Sequence, residues 1–275
     1  MWTLTGFADE ISHDFGEQLA LLNKLDVKYL EFRSAWGTNI LLLDQAQRTE
    51  AKRMLDEAGI KVSSIGSPIG KILVDEDFDE HLEAMHHAIE VARFFEAGYI
   101  RIFSFFIPEG TEADSHREEV MRRMKALTAV ARDAGITLLH ENEKDIFGDI
   151  PRRCVDVIET VDSPNLRAIL DPANYVQCGV NPLEEAYPAI RPHLAYMHLK
   201  DAVANTPDVV PVGEGDGHVP EILHELHTSG WDGFLSIEPH LGDYTEFGAM
   251  SGPQLWTKAH TALVGLLQAE GVEYR

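Results

Sequence analysis

Short apolar runs alternate along this chain with stretches whose apolar residues recur at helical spacing, and the rhythm repeats eight times. Residues 2–8 read as a first strand. Residues 15–25 follow as a helix with Leu19, Ala20 and Leu22 on one face. Further strands are predicted at 27–33, 60–66 and 99–105, each followed by a helix, at 43–58, 78–97 and 117–134. Gly59, Gly98 and Gly135 stand where those helices should stop. The second half continues with strands at 136–141, 166–171, 194–199 and 234–238. Its helices are expected at 151–161, 182–190, 220–229 and 253–269, the first with Pro151 in its opening turn.

Strands that alternate with helices through short connections pair in parallel, with right-handed crossovers. Continuous apolar strands are those covered on both faces. Eight such units in about 250 residues predict a closed (β/α)8 TIM barrel. A doubly wound open sheet is the second choice. Against it, Asp9-Glu10-Ile11-Ser12 follows the first strand where that fold places a glycine-rich phosphate loop. No Pro/Gly/Ser linker divides the chain, so residues 1–275 read as a single barrel domain.

Four consecutive strands end in a potential metal ligand. Glu141 closes the run Leu138-Leu139-His140, Asp171 follows Ile169-Leu170, His198 follows Tyr196-Met197, and Glu238 follows Ser236-Ile237. In this fold functional groups sit at the carboxyl ends of the strands. The four would therefore be neighbours on one side of the barrel mouth, where three carboxylates and an imidazole repel or desolvate one another unless a cation joins them. Three oxygen donors and one nitrogen suit Mn²⁺, Mg²⁺, Co²⁺ or Zn²⁺ without choosing sharply among them, and Mn²⁺ is the ion expected. A cation held there can polarise a carbonyl or a hydroxyl pair and acidify the neighbouring C–H. Glu141 and Glu238 stand at the two ends of the arc, placed to take and return a proton on opposite sides of a substrate.

Composition narrows the partners. The formal charge is −23, from 46 acidic and 23 basic residues. Such a surface repels polyanions, so no nucleic acid and no anionic membrane is expected, and a neutral or weakly charged substrate is favoured over a sugar phosphate. Cys154 and Cys178 form no CxxC pair or disulfide framework, and the N-terminus lacks a signal peptide, so a reduced, cytoplasmic protein is expected.

The motifs His-Glu-Asn-Glu around Glu141, Leu-Asp-Pro-Ala-Asn around Asp171, His-Leu-Lys-Asp from His198 and Ile-Glu-Pro around Glu238 together resemble the xylose-isomerase-like barrel superfamily. The likeness runs from Gly6-Phe7-Ala8-Asp9-Glu10 to the Val212-Gly213-Glu214-Gly215-Asp216 loop. The resemblance implies the four ligands Glu141, Asp171, His198 and Glu238, with Glu141 and Glu238 doubling as acid and base as in the ketose 3-epimerases. It implies a metal-bound carbonyl or enediolate with proton transfer beside it, and often a dimer or tetramer. Two positions depart from the ketose epimerases. Asn174 stands where they carry a histidine, and Ala202-Val203-Ala204-Asn205 stands where they carry an arginine.

Secondary positions complete the expected site. Lys200 shares the face of His198 and could hydrogen-bond a substrate oxygen, or form a salt bridge with Glu141, Glu143 or Glu214. Asn174, His140, Trp36, Arg33 and Lys71 are further candidates for substrate contact, with turns and loop packing as the competing readings. His140, by strand alternation, should face away from Glu141. The acidic Gly213–Gly217 loop is expected to be mobile and to shape the pocket. His224 and His227, on an outer helix, are expected to be scaffold.

The sequence thus points to a metal-dependent isomerase or epimerase of a small ketose or keto-sugar. The alternatives are a lyase or dehydratase acting on a 3-keto-glycoside or keto-polyol, and a non-catalytic sugar-binding subunit. A DNA-repair endonuclease shares the barrel, but it needs a His-rich mouth and a basic face that this chain lacks.

Overall fold

The computed structural model describes residues 1–245 and 248–275, with backbone alone over 243–245 and 248–249. Eight strands form one parallel sheet: β1 (Thr3–Gly6), β2 (Tyr29–Phe32), β3 (Lys61–Ile65), β4 (Tyr99–Ile102), β5 (Thr137–Glu141), β6 (Leu166–Leu170), β7 (Leu194–Leu199) and β8 (Phe234–Ile237). Their order is 1-8-7-6-5-4-3-2. The first strand pairs with the last and comes round beside β2, so the sheet curls into a nearly closed TIM barrel rather than the open doubly wound arrangement. At the seam between β1 and β2, the Thr5 and Ser63 hydroxyls meet at 2.8 Å, and Ser63 donates to the Leu30 carbonyl at 3.1 Å. Residues 273–275 run along the same edge of β1. The Leu4 amide donates to Arg275 O at 2.8 Å, which satisfies part of what would otherwise be a bare edge.

The helices are α1 (Phe15–Lys24), α2 (Gln45–Ala58), α3 (Asp79–Phe94), α4 (Arg117–Asp133), α5 (Pro151–Val161), α6 (Pro172–Gln177), α7 (Tyr187–Ile190), α8 (Val219–Thr228) and α9 (Gly252–Glu270). Local chemistry sets several of their ends. Asp44 and Gln47 form a reciprocal capping box at the start of α2, and Gly59 stops it at φ 67°. Three expectations need correction. The helix after β3 ends at Phe94, and Glu96, at φ 58°, makes the left-handed turn expected of Gly98. Only Tyr187–Ile190 of the predicted 182–190 helix is α-helical, a wider turn over Pro182–Ala186 preceding it. And α6, which was not foreseen, starts directly after Asp171, whose side chain accepts from the Asn174 amide at 2.9 Å with Pro172 at the first helical position.

Strand alternation sorts the core in two. Outward side chains such as Leu30, Met197 and Leu235 pack beneath the helices in the main core. The barrel interior is filled in layers. At the bottom lie Leu139, Ile169 and Tyr196, with the rings of Tyr29 and Phe234 5.2 Å apart and those of Tyr196 and Phe234 5.5 Å apart. Two residues higher on the same strands, Glu31, His198 and Ser236 are joined by hydrogen bonds. Two higher again, Arg33 and Lys200 reach Glu238. The period of two thus lifts each of these strands from aromatic to polar to ionic toward the mouth. The strands are not apolar on both faces, as their sequence suggested, because the inward face turns polar halfway up. No helix among the described residues is long and apolar enough to cross a membrane.

Candidate metal centre

β5, β6, β7 and β8 deliver Glu141, Asp171, His198 and Glu238 to one point. One donor atom from each lies within 4.8 Å of all the others, and all four residues are buried. His198 Nδ1 stands 2.9 Å from Glu141 Oε1 and 3.5 Å from Glu238 Oε2. Lys200 Nζ lies 2.9 Å from Asp171 Oδ2 and 3.3 Å from Glu238 Oε2. Asp171 Oδ2 accepts no hydrogen bond. Asn142 bridges the ends of β5 and β6, its amide donating to Asp171 O at 3.0 Å and its oxygen accepting from Asp171 N at 2.9 Å.

The electrostatics are those of a site short of positive charge. Burial raises the Asp171 carboxyl to about 7, only partly offset by Lys200. Burial also works to raise Glu141, but the nearby His198 and Arg101 bring it down to about 2. Glu238 is likewise penalised by burial, yet Lys200, His240 and His198 hold it well below the usual carboxylate range. Burial works to deprotonate the His198 imidazole, but Glu141 and Glu31 keep it well above its usual range. Protonated His198 and Lys200 thus supply part of the balancing charge. Three buried carboxyls and an imidazole converging with an open Asp171 lone pair fit a divalent cation, and the donor set does not choose its identity.

The other half of the mouth carries cations. Arg33 Nε donates to Asp9 Oδ2 at 2.7 Å and its Nη2 to Asp9 Oδ1 at 3.1 Å. The same guanidinium lies 3.6 Å from both Glu10 and Glu238. Arg101 Nη1 donates to Glu141 Oε2 at 3.2 Å. Lys71 pairs with Glu143 at 3.0 Å and sits 4.2 Å above the Phe103 ring. Glu10, Glu238 and His240 form a second close group. There burial raises the Glu10 carboxyl to about 8 despite Arg33, and the guanidinium, fixed by Asp9, stands 3.6 Å from both carboxyls, so a second cation would face it. Ligand-type residues and cations together line a cavity of about 410 Å³.

Of the expected secondary residues, Arg33, Lys71, Asn174 and Lys200 line this cavity. Lys200 pairs with Asp171 and Glu238 rather than with Glu141, Glu143 or Glu214. Asn174 Nδ2 donates to Asn142 O at 2.8 Å and to Glu141 Oε1 at 3.4 Å, so it braces Glu141 as well as facing the cavity. His140 and Trp36 are not at the cavity wall. His140 is buried on the outer face of β5, against Gly148, where a Cβ would lie 2.5 Å from its ring. Trp36 packs edge-on against Phe15, the ring centroids 5.4 Å apart. The Gly213–Gly217 loop does not line the cavity either. The Asp201 carboxyl holds it by accepting from the amides of Gly213 (2.9 Å), Gly215 (3.2 Å) and Gly217 (2.8 Å). Glycine is required there because a Cβ at position 215 or 217 would lie 2.5 Å from Asp201 Oδ1.

Residues 19–260 match the sequence model of the xylose isomerase-like TIM barrel. The chain belongs to that family. A 3-dehydroshikimate dehydratase of Bacillus anthracis is 22% identical over 223 residues, covering 74% of this chain and 78% of that protein. A D-tagatose 3-epimerase-like protein superposes with a TM-score of 0.80 at 17% identity, over 98% of both chains. A xylose isomerase-like TIM barrel protein from Mycobacterium smegmatis, solved in complex with magnesium, gives 0.73 at 19% identity over 93% of this chain and 89% of that one. These structural likenesses are of fold.

Residues of the mouth that the sequence reading missed are Asp9, Glu10, Arg101 and His240, with Glu31 in the interior beneath it. Glu31 and Arg101 did leave a signal. Each is a charge inside an otherwise apolar strand, Tyr29-Leu30-Glu31-Phe32 and Tyr99-Ile100-Arg101-Ile102, and such a charge must find a partner inside.

Proposed function

We propose that this protein is a divalent-metal-dependent enzyme that moves a proton on the carbon beside the carbonyl of a small ketose or keto-sugar, as an isomerase or epimerase. The observation that carries the reading is the convergence of Glu141, Asp171, His198 and Glu238, of which Glu141 and Glu238 line a polar cavity of about 410 Å³. Those four side chains would hold the cation, which supplies polarisation of the substrate carbonyl when bound.

The remaining work falls to the chain itself. Glu238, kept ionised by Lys200, can accept the proton and hand it back to the neighbouring carbon in an isomerisation; in an epimerisation Glu141, which His198 and Arg101 hold ionised, would first take up a proton from solvent before delivering it from the other side. Lys200 is placed to hydrogen-bond a substrate oxygen as negative charge develops on it. Arg33, Lys71 and Asn174 fix the substrate's outer hydroxyls. The cations of the mouth are each engaged with a carboxyl group, which favours a neutral or weakly charged substrate over a phosphate ester. A small carbohydrate is the partner we propose, with neither nucleic acid nor membrane.

A second reading is a lyase or dehydratase, in which the same proton abstraction expels a β-substituent. The curated relative that is a dehydratase, similar over three quarters of both chains, favours keeping it. The deciding experiment incubates the protein, supplied with Mn²⁺, Mg²⁺, Co²⁺ or Zn²⁺, with ketoses, 3-keto-glycosides and keto-polyols in D₂O. An isomerase gives a product of unchanged mass apart from deuterium, whereas a lyase loses water or an aglycone. Absence of both exchange and elimination across the panel rejects the enzymatic reading in favour of a sugar-binding protein. If Glu238→Gln bound metal and left turnover unchanged, the acid/base assignment would be wrong.

A further inference from the structure

One layer below the four ligand-type side chains, the barrel interior contains an ionisable group that none of the roles above uses. Glu31 points inward from β2 and is fully buried. Its Oε2 accepts from the Ser236 hydroxyl at 2.7 Å and stands 3.2 Å from His198 Nε2. The Tyr196 hydroxyl also approaches it, and continues the network to Ser63 at 3.0 Å and from there to Thr5 at 2.8 Å. Its second oxygen, Oε1, accepts no hydrogen bond. Burying a carboxyl group inside a barrel is costly unless a specific partner uses it.

The partner is the imidazole of His198. The two ring nitrogens face opposite directions. Nδ1 looks up at Glu141 and Glu238, and Nε2 looks down at Glu31. Ser236 already donates to the oxygen nearest Nε2, so a favourable contact there requires Nε2 to carry a hydrogen. An unprotonated Nε2 would set its lone pair against an acceptor oxygen at 3.2 Å.

We propose that Glu31 is a positioning residue for metal binding. It accepts the Nε2 hydrogen of His198, fixes the ring plane, and so reserves the Nδ1 lone pair for the cation. A carboxyl group behind a histidine ligand is a recurrent device for setting its tautomer. The inference rests on the four-residue cluster holding a cation, the premise of the function proposed above.

The test measures Mn²⁺ and Zn²⁺ affinity of the metal-stripped protein by calorimetry, for wild type, Glu31→Gln, Thr5→Val and Asp171→Asn. The imidazole tautomer of His198 is read by ¹⁵N NMR in the zinc-loaded wild type. Glu31→Gln is expected to weaken binding by about 10–100-fold, while Thr5→Val, at the far end of the same network, stays within about twofold of wild type. The wild-type spectrum should show the hydrogen on Nε2. Equal affinity of Glu31→Gln and wild type overturns the inference. So does a loaded wild type with the hydrogen on Nδ1, a result that stands even if Glu31→Gln does not fold. Wild type that binds no divalent ion, with Asp171→Asn indistinguishable from it, rejects the metal-dependent function and this inference together. Wild type that binds while Glu31→Gln binds equally rejects this inference alone.

Discussion

The two halves of the barrel mouth do opposite things with charge. From β5 to β8 the strand ends bring carboxyl groups and an imidazole together, leaving Asp171 Oδ2 without a hydrogen bond. From β1 to β4 they supply Arg33, Lys71 and Arg101, with Asp9 and Glu10 to anchor Arg33. The first half is a set of donors short of positive charge, and the second supplies cations, Lys71 to Glu143 and Arg101 to Glu141 across the mouth and Arg33 to Asp9 within its own half. Lys200 and Glu238 sit where the two meet. A protein with formal charge −23 thus gathers cations where a substrate would enter. The difference teaches that equal density of ionisable groups does not mean equal function. What separates the halves is the sign of the charge that each brings to the mouth.

The largest effect should come from removing one ligand-type residue. Asp171→Ala should weaken Mn²⁺ binding, measured by calorimetry, by more than the about 100-fold that loss of a supporting partner can cost. Asp9→Asn, in the other half, should change it far less. Comparable losses from both would erase the distinction between the halves. Next is Arg33→Met, which leaves Asp9, Glu10 and Glu238 without their shared counter-charge. Urea unfolding should show a loss of about 3 kcal/mol. A loss within error would mean that the carboxyl groups around Arg33 do not depend on it. Third, saturating the metal-stripped protein with a divalent ion at 100 times its Kd should stabilise it by about 2.7 kcal/mol, or raise its melting temperature by about 5 °C. A chelator should reverse the gain, and Asp171→Ala should not show it. The smallest change is expected for Lys71→Met. Its partner Glu143 is 25% exposed and Lys71 itself 34%, so the stability cost should be below about 1 kcal/mol. A larger cost would place this pair with the buried ones.

The half that forms the candidate metal centre was legible in the chain because each of its four ligand-type residues terminates an apolar run. Glu141, Asp171, His198 and Glu238 interrupt hydrophobic pattern at the point where a barrel strand must end. Lys200 followed from period-two alternation beyond His198, and that same alternation faced His140 outward. Arg33 and Lys71 were readable only as residues after a strand. Nothing local distinguished them from Trp36, which packs on Phe15 instead. α6 was missed because Asp171 serves as ligand candidate and helix cap at once, and the short Pro-Ala-Asn-Tyr-Val-Gln segment has no amphipathic period to show. The glycines at 213–217 suggested a mobile loop. Their necessity comes instead from Asp201, whose carboxyl group leaves no room for a Cβ beside it.

By itself, the sequence determined the eightfold alternation, the closed barrel and the inward parity of the ligand-type residues. Those are consequences of period and order along one strand at a time. Tertiary structure alone decided which inward groups meet across the interior. Glu31 and His198 are 167 positions apart, on strands that are not neighbours in the sheet, and they touch only because closure and tilt bring β2 and β7 to one level. The same holds for Arg33 with Glu238 and Arg101 with Glu141. Hydrophobic pattern fixes the face a side chain occupies. Its height and partner inside a barrel depend on the registers of all eight strands together.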